Sequence, residues 1–193
     1  MLTPIDFKNN YFSLLTESQS ITGVTPGVTL MYDEYKDVTE DDKFTVEQWS
    51  NLVKVASIIK ANENRFEMQT WHKKSECGTI HCIAGWAESL VKKDTNYLDT
   101  KDTWFTATDV LSEYAEPFFF IEINAIIPGL GFYGVGDYDS IVDKRNEHKG
   151  LPEQLVMKWF IDPILEEAHK ESHELSSEIS QFIQKAQGEF ALA

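Results

Sequence analysis

The residues most capable of chemistry lie in the stretch 65–93, which holds both cysteines and two of the five histidines. Zinc takes thiolate sulfur and imidazole nitrogen as ligands, so Cys77, His81, Cys82 and His72 form a candidate metal set. The Cys-x4-Cys spacing is not common in zinc fingers or ribbons. Adjacent residues on a helix also point about 100° apart. A zinc site is therefore one hypothesis, and zinc is the only cofactor the sequence suggests.

Two other interpretations of the cysteines stay open. Cys82 is placed to be a thiol nucleophile, activated by a helix N-terminus and by a histidine distant in the sequence. Alternatively, both cysteines are small buried apolar side chains, and a disulfide between Cys77 and Cys82 is one form of that interpretation. We favour burial, because no other motif supplies a base. No catalytic residue is assigned, and a non-enzymatic function is preferred.

The segment that carries Cys82 is predicted to be helical. Thr79 is a suitable N-cap, and apolar residues follow it at spacings of three and four. Together they predict a helix from Ile80 to Lys93. Gly85 in its interior costs roughly 1 kcal/mol relative to alanine, which indicates that another backbone packs closely against this helix.

Two more helices are predicted beside this one. Thr45 and Gln48 form a capping box for a helix that should end near Asn62, and a third helix is expected over 103–114. Phe66, Met68 and Trp71 are expected to pack the helix that begins after Thr45 against the helix that begins after Thr79, and Trp86 is expected to be a core residue. Buried tryptophans are mostly core residues, so a bound aromatic ligand is the weaker interpretation.

These residues also form a signature. It consists of Phe66-x-Met68-x-x-Trp71-His72 and then Cys77-Gly78-Thr79-x-His81-Cys82-Ile83-Ala84-Gly85-Trp86-Ala87. Through it, residues 45–114 resemble a family of small uncharacterised proteins from bacteriophage and bacterial genomes. The resemblance implies a phage or mobile-element setting. It implies no catalytic role, because the family has no assigned activity.

Length and composition predict one folded domain over 1–193. The hydrophobic fraction is 42% and the aromatic fraction 12%, which is typical of a globular protein with a real core. No apolar run approaches the length of a membrane span, and the first residues lack a signal pattern. We therefore expect a cytoplasmic protein, in the host cell cytoplasm if it is phage-encoded.

The charge restricts the partners. The net charge is −15, from 32 acidic and 17 basic residues. Direct nucleic-acid binding needs a basic surface and is not expected. A negative surface suits a partner protein with a basic surface, or serves only to keep the protein solvated. Residues 33–43 are predicted to be an exposed acidic loop.

The C-terminal helical region, 152–187, is predicted to begin at Pro152 and to be interrupted at Pro163. Its later part carries an apolar seam that begins at Ala168 and allows a homo-oligomer through this helix. One position before the seam runs a row of carboxylates: Glu167, Glu171, Glu174 and Glu178. The row is a candidate partner-binding surface, unless the helix packs on its own domain and turns its acids to water.

The predicted fold is mainly α, a single compact helical domain with a long C-terminal helix. A small β element is allowed near 118–136, where periodicity cannot separate a buried strand from a core helix. The glycine-rich match at 129–136 lacks a βαβ context and is interpreted as a loop. The preferred function is an acidic protein that binds a host or partner protein, for example a phage-encoded inhibitor that imitates nucleic-acid charge. The alternative is a metal- or thiol-dependent enzyme or zinc-binding module centred on Cys77 and Cys82.

Overall fold

The computed structural model describes residues 1–27, 35–75, 78–92, 101–128 and 138–171, and these are mainly helical, as predicted. The α-helices are α1 (Pro4–Thr22), α2 (Val46–Ala61), α3 (Ile83–Val91), α4 (Lys101–Leu111), α5 (Glu116–Phe119), α6 (Ile123–Ile126), α7 (Tyr138–Glu147), α8 (Leu151–Val156) and α9 (Asp162–Glu171). The strands β1 (His72–Ser75) and β2 (Gly78–His81) pair as an antiparallel hairpin. Among the described residues, no helix is both long and apolar enough to cross a membrane.

Local signals set the bounds of α2. The predicted capping box is confirmed, because Gln48 N donates to Thr45 Oγ1 at 3.1 Å and Thr45 N donates to Gln48 Oε1 at 2.9 Å. These bonds satisfy two backbone donors at the helix start. The helix ends at Ala61, one residue before Asn62, where its end was expected.

The core is built largely from aromatic rings. Phe7 of α1 packs with ring centroids 6.0 Å from Phe118 and 5.4 Å from Phe160, and these last two lie 4.6 Å apart. All three side chains are at most 2% exposed. Each such ring contributes about 1.5–3 kcal/mol by leaving water. The same core continues from α1 to Ala168 of α9.

The predicted start of the central helix is wrong by three residues. The helix α3 begins at Ile83 with Cys82 as its N-cap, whereas Thr79 lies in β2. Residues 66–71, which we call the strap, explain the difference by pairing with the end of β2. Glu67 N donates to the His81 carbonyl at 3.1 Å, and Cys82 N donates to the Thr70 carbonyl at 2.8 Å.

The region near 118–136, where a small β element was allowed, is helical in its described part. The described part of that region forms α5 and α6, and the described sheet lies at 72–81 instead. Pro117 occupies the first turn of α5, where its missing N–H costs nothing. The apolar run is therefore buried as two short helices. The glycine-rich segment 129–136 lies outside the described residues.

The long C-terminal helix is confirmed over 151–171, and the rest of the predicted region lies outside the described residues. The helix does not restart at Pro163. Instead, a π turn over Met157–Ile161 joins α8 to α9 without a break. Pro163 has no N–H for the Trp159 carbonyl, and its ring crowds that carbonyl in a regular helix. The wider π turn accommodates both effects.

Candidate functional site

The strand–helix junction holds two members of the predicted metal set. His81 ends β2 and is 1% exposed, and Cys82 caps α3 and is 2% exposed. The backbone register pairs His72 with His81 across the hairpin. The His72 side chain and all of Cys77 lie outside what the structure describes. Among the described residues, no three His, Cys, Asp or Glu side chains form a group that could hold a metal, so the zinc site stays a prediction.

Burial determines the chemistry of Cys82. It raises the pKa of the Cys82 thiol from 9.0 to about 11, against a smaller lowering by the N–H groups of Gly85 and Ala84 at the start of α3. The thiol is therefore protonated at neutral pH. A nucleophile needs the thiolate form and an accessible sulfur, so this geometry favours the burial interpretation of Cys82.

We expect Cys82 to be inert toward thiol reagents in the folded protein. In a Cys77→Ala variant, deprotonation alone should make its reaction with Ellman's reagent at pH 8 about 100-fold slower than that of a peptide thiol. Burial should slow it further, and unfolding in urea should expose the full thiol. The shift also means that stability is lost as pH rises from 9.0 toward 11. Rapid labelling of the folded variant would contradict this prediction.

Arg65 and His81 pack against the Trp86 ring, and the His81 ring is tilted by 49° to it. The Arg65 guanidinium lies 5.6 Å from the centroid of the Trp86 ring, and the His81 ring centroid lies 4.5 Å from it. Arg65 Nε donates to the Thr79 carbonyl at 3.0 Å. A cation above an indole face is attracted by its quadrupole. These contacts therefore fasten the hairpin to α3, a role for Arg65 that the sequence analysis did not identify.

Gly85 lies where α3 touches the strap, as its position predicted. A Cβ placed on Gly85 would lie 2.0 Å from the Trp71 carbonyl oxygen. No such contact is tolerated between atoms that are not bonded, so a side chain at this position would force the two backbones apart. The tightly packed residues of the signature thus build a structural clasp between the hairpin, the strap and α3.

An open groove of about 590 Å³ runs beside the strap. Its lining includes Phe66, Glu67, Lys73, Lys149 and Glu153. The charges along it are largely engaged, because Lys73 lies 3.6 Å from Glu67 and Glu153 accepts a 2.7 Å hydrogen bond from Met68 N. The described lining therefore supplies no nucleophile and base pair, and we assign it no reaction.

Two glutamates of the predicted row form hydrogen bonds with groups of the same chain. Glu167 is hydrogen-bonded by the amino group of Met1 and by Lys170, which lower the pKa of its carboxyl. Glu171 accepts a 3.0 Å hydrogen bond from Trp49 Nε1. Ala168 of the seam is 1% exposed and packs into the chain's own core. Residues 174 and 178 lie outside the described part, so a binding role for the row stays a prediction.

A different set of carboxylates faces solvent. These exposed residues, which we call the acidic face, are Asp37, Glu40, Asp41, Glu47, Asp109 and Glu113. None of them forms an ion pair within the described ranges. Two exposed lysines lie in the same loop, and Lys43 turns its ammonium to the Glu40 carbonyl at 2.7 Å. The balance of the surface remains strongly negative.

The acidic face has three parts, which are the loop before α2, the start of α2 and the region of α4, and contacts between side chains and backbone join them. Tyr114, next to Glu113, donates from its hydroxyl to Asp42 at 3.5 Å. Asn51, one turn after Glu47 on α2, donates to the Val110 carbonyl at the end of α4 at 3.0 Å. The loop, the start of α2 and the outer side of α4 are therefore neighbours on one surface.

Two groups at this surface, Asp42 and Tyr114, have shifted pKa values with different causes. Hydrogen bonds from the backbone and hydroxyl of Thr39 lower the pKa of Asp42, which keeps this carboxylate charged. Burial, followed by the charges of Asp42 and Glu113, raises the pKa of Tyr114. The lowered pKa of Asp42 reflects its hydrogen bonds, because neighbouring negative charges alone would raise the pKa of a carboxyl. The raised pKa of Tyr114 is in the direction that negative neighbours produce.

Comparison with protein-family models, curated proteins and solved structures finds no match for this chain. The resemblance to a phage and bacterial family therefore stays a prediction.

Proposed function

We propose that this protein is a non-enzymatic binding protein that holds a partner protein with a basic surface on its acidic face. One observation carries the proposal: six exposed carboxylates share one surface, and none forms an ion pair among the described residues. The net charge of −15 steers such a partner toward it.

The concrete form we favour is an inhibitor of a nucleic-acid-binding protein. Grooves that bind nucleic acid are lined with lysine and arginine that contact phosphates, and a group of carboxylates presents similar charge to the same side chains. A phage-encoded protein acting in the host cytoplasm suits this role. The enzyme alternative has less support, because Cys82 is buried and protonated.

The test compares two triple variants of equal charge. Glu47→Gln, Asp109→Asn and Glu113→Gln neutralise part of the acidic face. The matched control neutralises three exposed acids elsewhere: Asp143→Asn, Glu147→Gln and Glu166→Gln. A partner captured on the wild-type protein and then purified should bind the first variant about tenfold more weakly. It should bind the control almost as well as the wild type.

Salt provides the second arm of this test. Raising the salt from about 0.15 M to about 0.5 M should weaken binding of the wild type, because exposed charges are screened. Salt-insensitive binding, or equal losses in the two triple variants, would contradict the proposal. In the inhibitor form, added nucleic acid should displace the protein from its partner.

A further inference from the structure

One aromatic ring stands out on the surface beside the acidic face. Phe105 on α4 is 63% exposed, and it is the one aromatic side chain among the large exposed apolar residues of the described ranges. Single exposed apolar residues are common. Phe105 differs because it is the outer end of an ordered series of aromatic rings.

The series runs inward from Phe105 to the strap. The ring of Phe105 stacks on Trp104 with centroids 5.0 Å apart and planes at 22°. Trp104 meets Phe120 edge to face at 5.9 Å, and Phe120 meets Trp71 in the same manner at 6.5 Å. Such pairs hold each ring in one orientation. Phe105 is therefore a pre-ordered contact surface that loses little side-chain entropy on binding.

Two exposed carboxylates follow this ring in the sequence. Asp109 lies one turn after Phe105 on α4, so these two share a face of the helix. Glu113 follows beyond the end of α4, after Ser112 breaks the helix. Both acids are exposed and form no ion pair among the described residues. A flat ring with a carboxylate one turn away matches a guanidinium group, which stacks on aromatic faces and forms paired hydrogen bonds to carboxylates.

We propose that Phe105 and Asp109 form an arginine-binding anchor for a basic segment of the partner protein. The inference rests on the proposed function and names the point on the acidic face where the partner is recognised. Charge argues for this occupant over a second copy of the chain, because two copies at −15 each repel one another. Arginine is preferred over lysine, whose ammonium is more strongly hydrated and cannot stack as a plane.

The experiment uses two peptide probes of equal charge, octa-arginine and octa-lysine, with the full chain. Binding is measured by calorimetry. Tryptophan fluorescence provides a second signal, because Trp104 touches Phe105. We expect octa-arginine to bind the wild type about fivefold more tightly than octa-lysine. In Phe105→Ala this preference should fall to near one, while octa-lysine binds as before. Asp109→Asn should weaken octa-arginine more than octa-lysine.

Val91→Ala is the matched control, since Val91 is an exposed apolar residue at 58% and lies outside the acidic face. It should keep the arginine preference. Equal binding of both peptides to the wild type, with loss of both in the acidic-face triple variant, would overturn the anchor and leave the proposed function standing. Failure of both peptides to bind would overturn both. A dimer that depends on Phe105 in sedimentation equilibrium would also overturn the anchor.

Discussion

Replacing Gly85 by alanine is expected to destabilise the protein by about 3 kcal/mol, the upper part of the range for overpacking a well-filled site. In an exposed helix the same change stabilises by about 1 kcal/mol, so the structure predicts the opposite sign. The added Cβ would lie 2.0 Å from the Trp71 carbonyl oxygen and 3.1 Å from the His81 ring. The first contact is with backbone, which cannot rotate away as a side chain would.

Urea denaturation followed by circular dichroism measures this loss of unfolding free energy. Ser89→Ala in the same helix is the control, because Ser89 is half-buried and its hydroxyl donates to the Trp86 carbonyl within its own helix. Its effect should stay within about 0.5 kcal/mol. If Gly85→Ala changed the unfolding free energy no more than Ser89→Ala, or increased it, this would contradict the close approach of the strap to α3.

Gly85 and α2 show which parts of this fold could be predicted from the sequence. The capping box of Thr45 and Gln48 is a local interaction between residues three apart, so the sequence alone carries it. A glycine inside an apolar helical pattern likewise signals a close neighbour. What the glycine could not reveal is the neighbour's identity, because Trp71 is brought there by the strap.

The hairpin could not be predicted for the same reason. Ile80 and Ile83 are three residues apart and fit a helical face, and Thr79 fits a cap. Residues 78–81 form a strand and not a helix because the end of β2 forms backbone hydrogen bonds with the strap, at Glu67 and Thr70. These partners are more than ten residues away, and periodicity within a short window does not report such pairings.

The candidate site also has features that the sequence predicts and features that depend on long-range packing. The acidic loop was expected to be exposed, and three of its four described acids, Asp37, Glu40 and Asp41, are exposed, whereas Asp42 is half-buried. Glu171 is hydrogen-bonded within the chain by Trp49, which is distant in the sequence. The acidic face also depends on the approach of α4 to the loop, through Tyr114 and Asp42. Long-range packing selects which carboxylates are available, and composition gives only their total.

Truncating Trp86 to alanine is expected to cost about 4 kcal/mol, in the range measured for buried aromatic residues. The side chain is fully buried, at 0% exposure. Its loss would leave a large cavity and remove the surface against which Arg65 and His81 pack. Trp86→Phe keeps an aromatic face and should lose roughly 2 kcal/mol. Thermal or urea unfolding of both variants gives the two values.

The contribution of Arg65 to the clasp can be separated by a double-mutant cycle. Arg65→Met keeps most of the apolar stem and removes the cation, and it is combined with Trp86→Leu. The contact between the guanidinium and the ring predicts a coupling free energy of about 1 kcal/mol between the two positions. A coupling near zero would mean that the guanidinium only fills space above the ring.

A small loss of unfolding free energy for Trp86→Ala would contradict the core role of this residue. It would favour the alternative interpretation, in which the tryptophans of the signature bind a ligand.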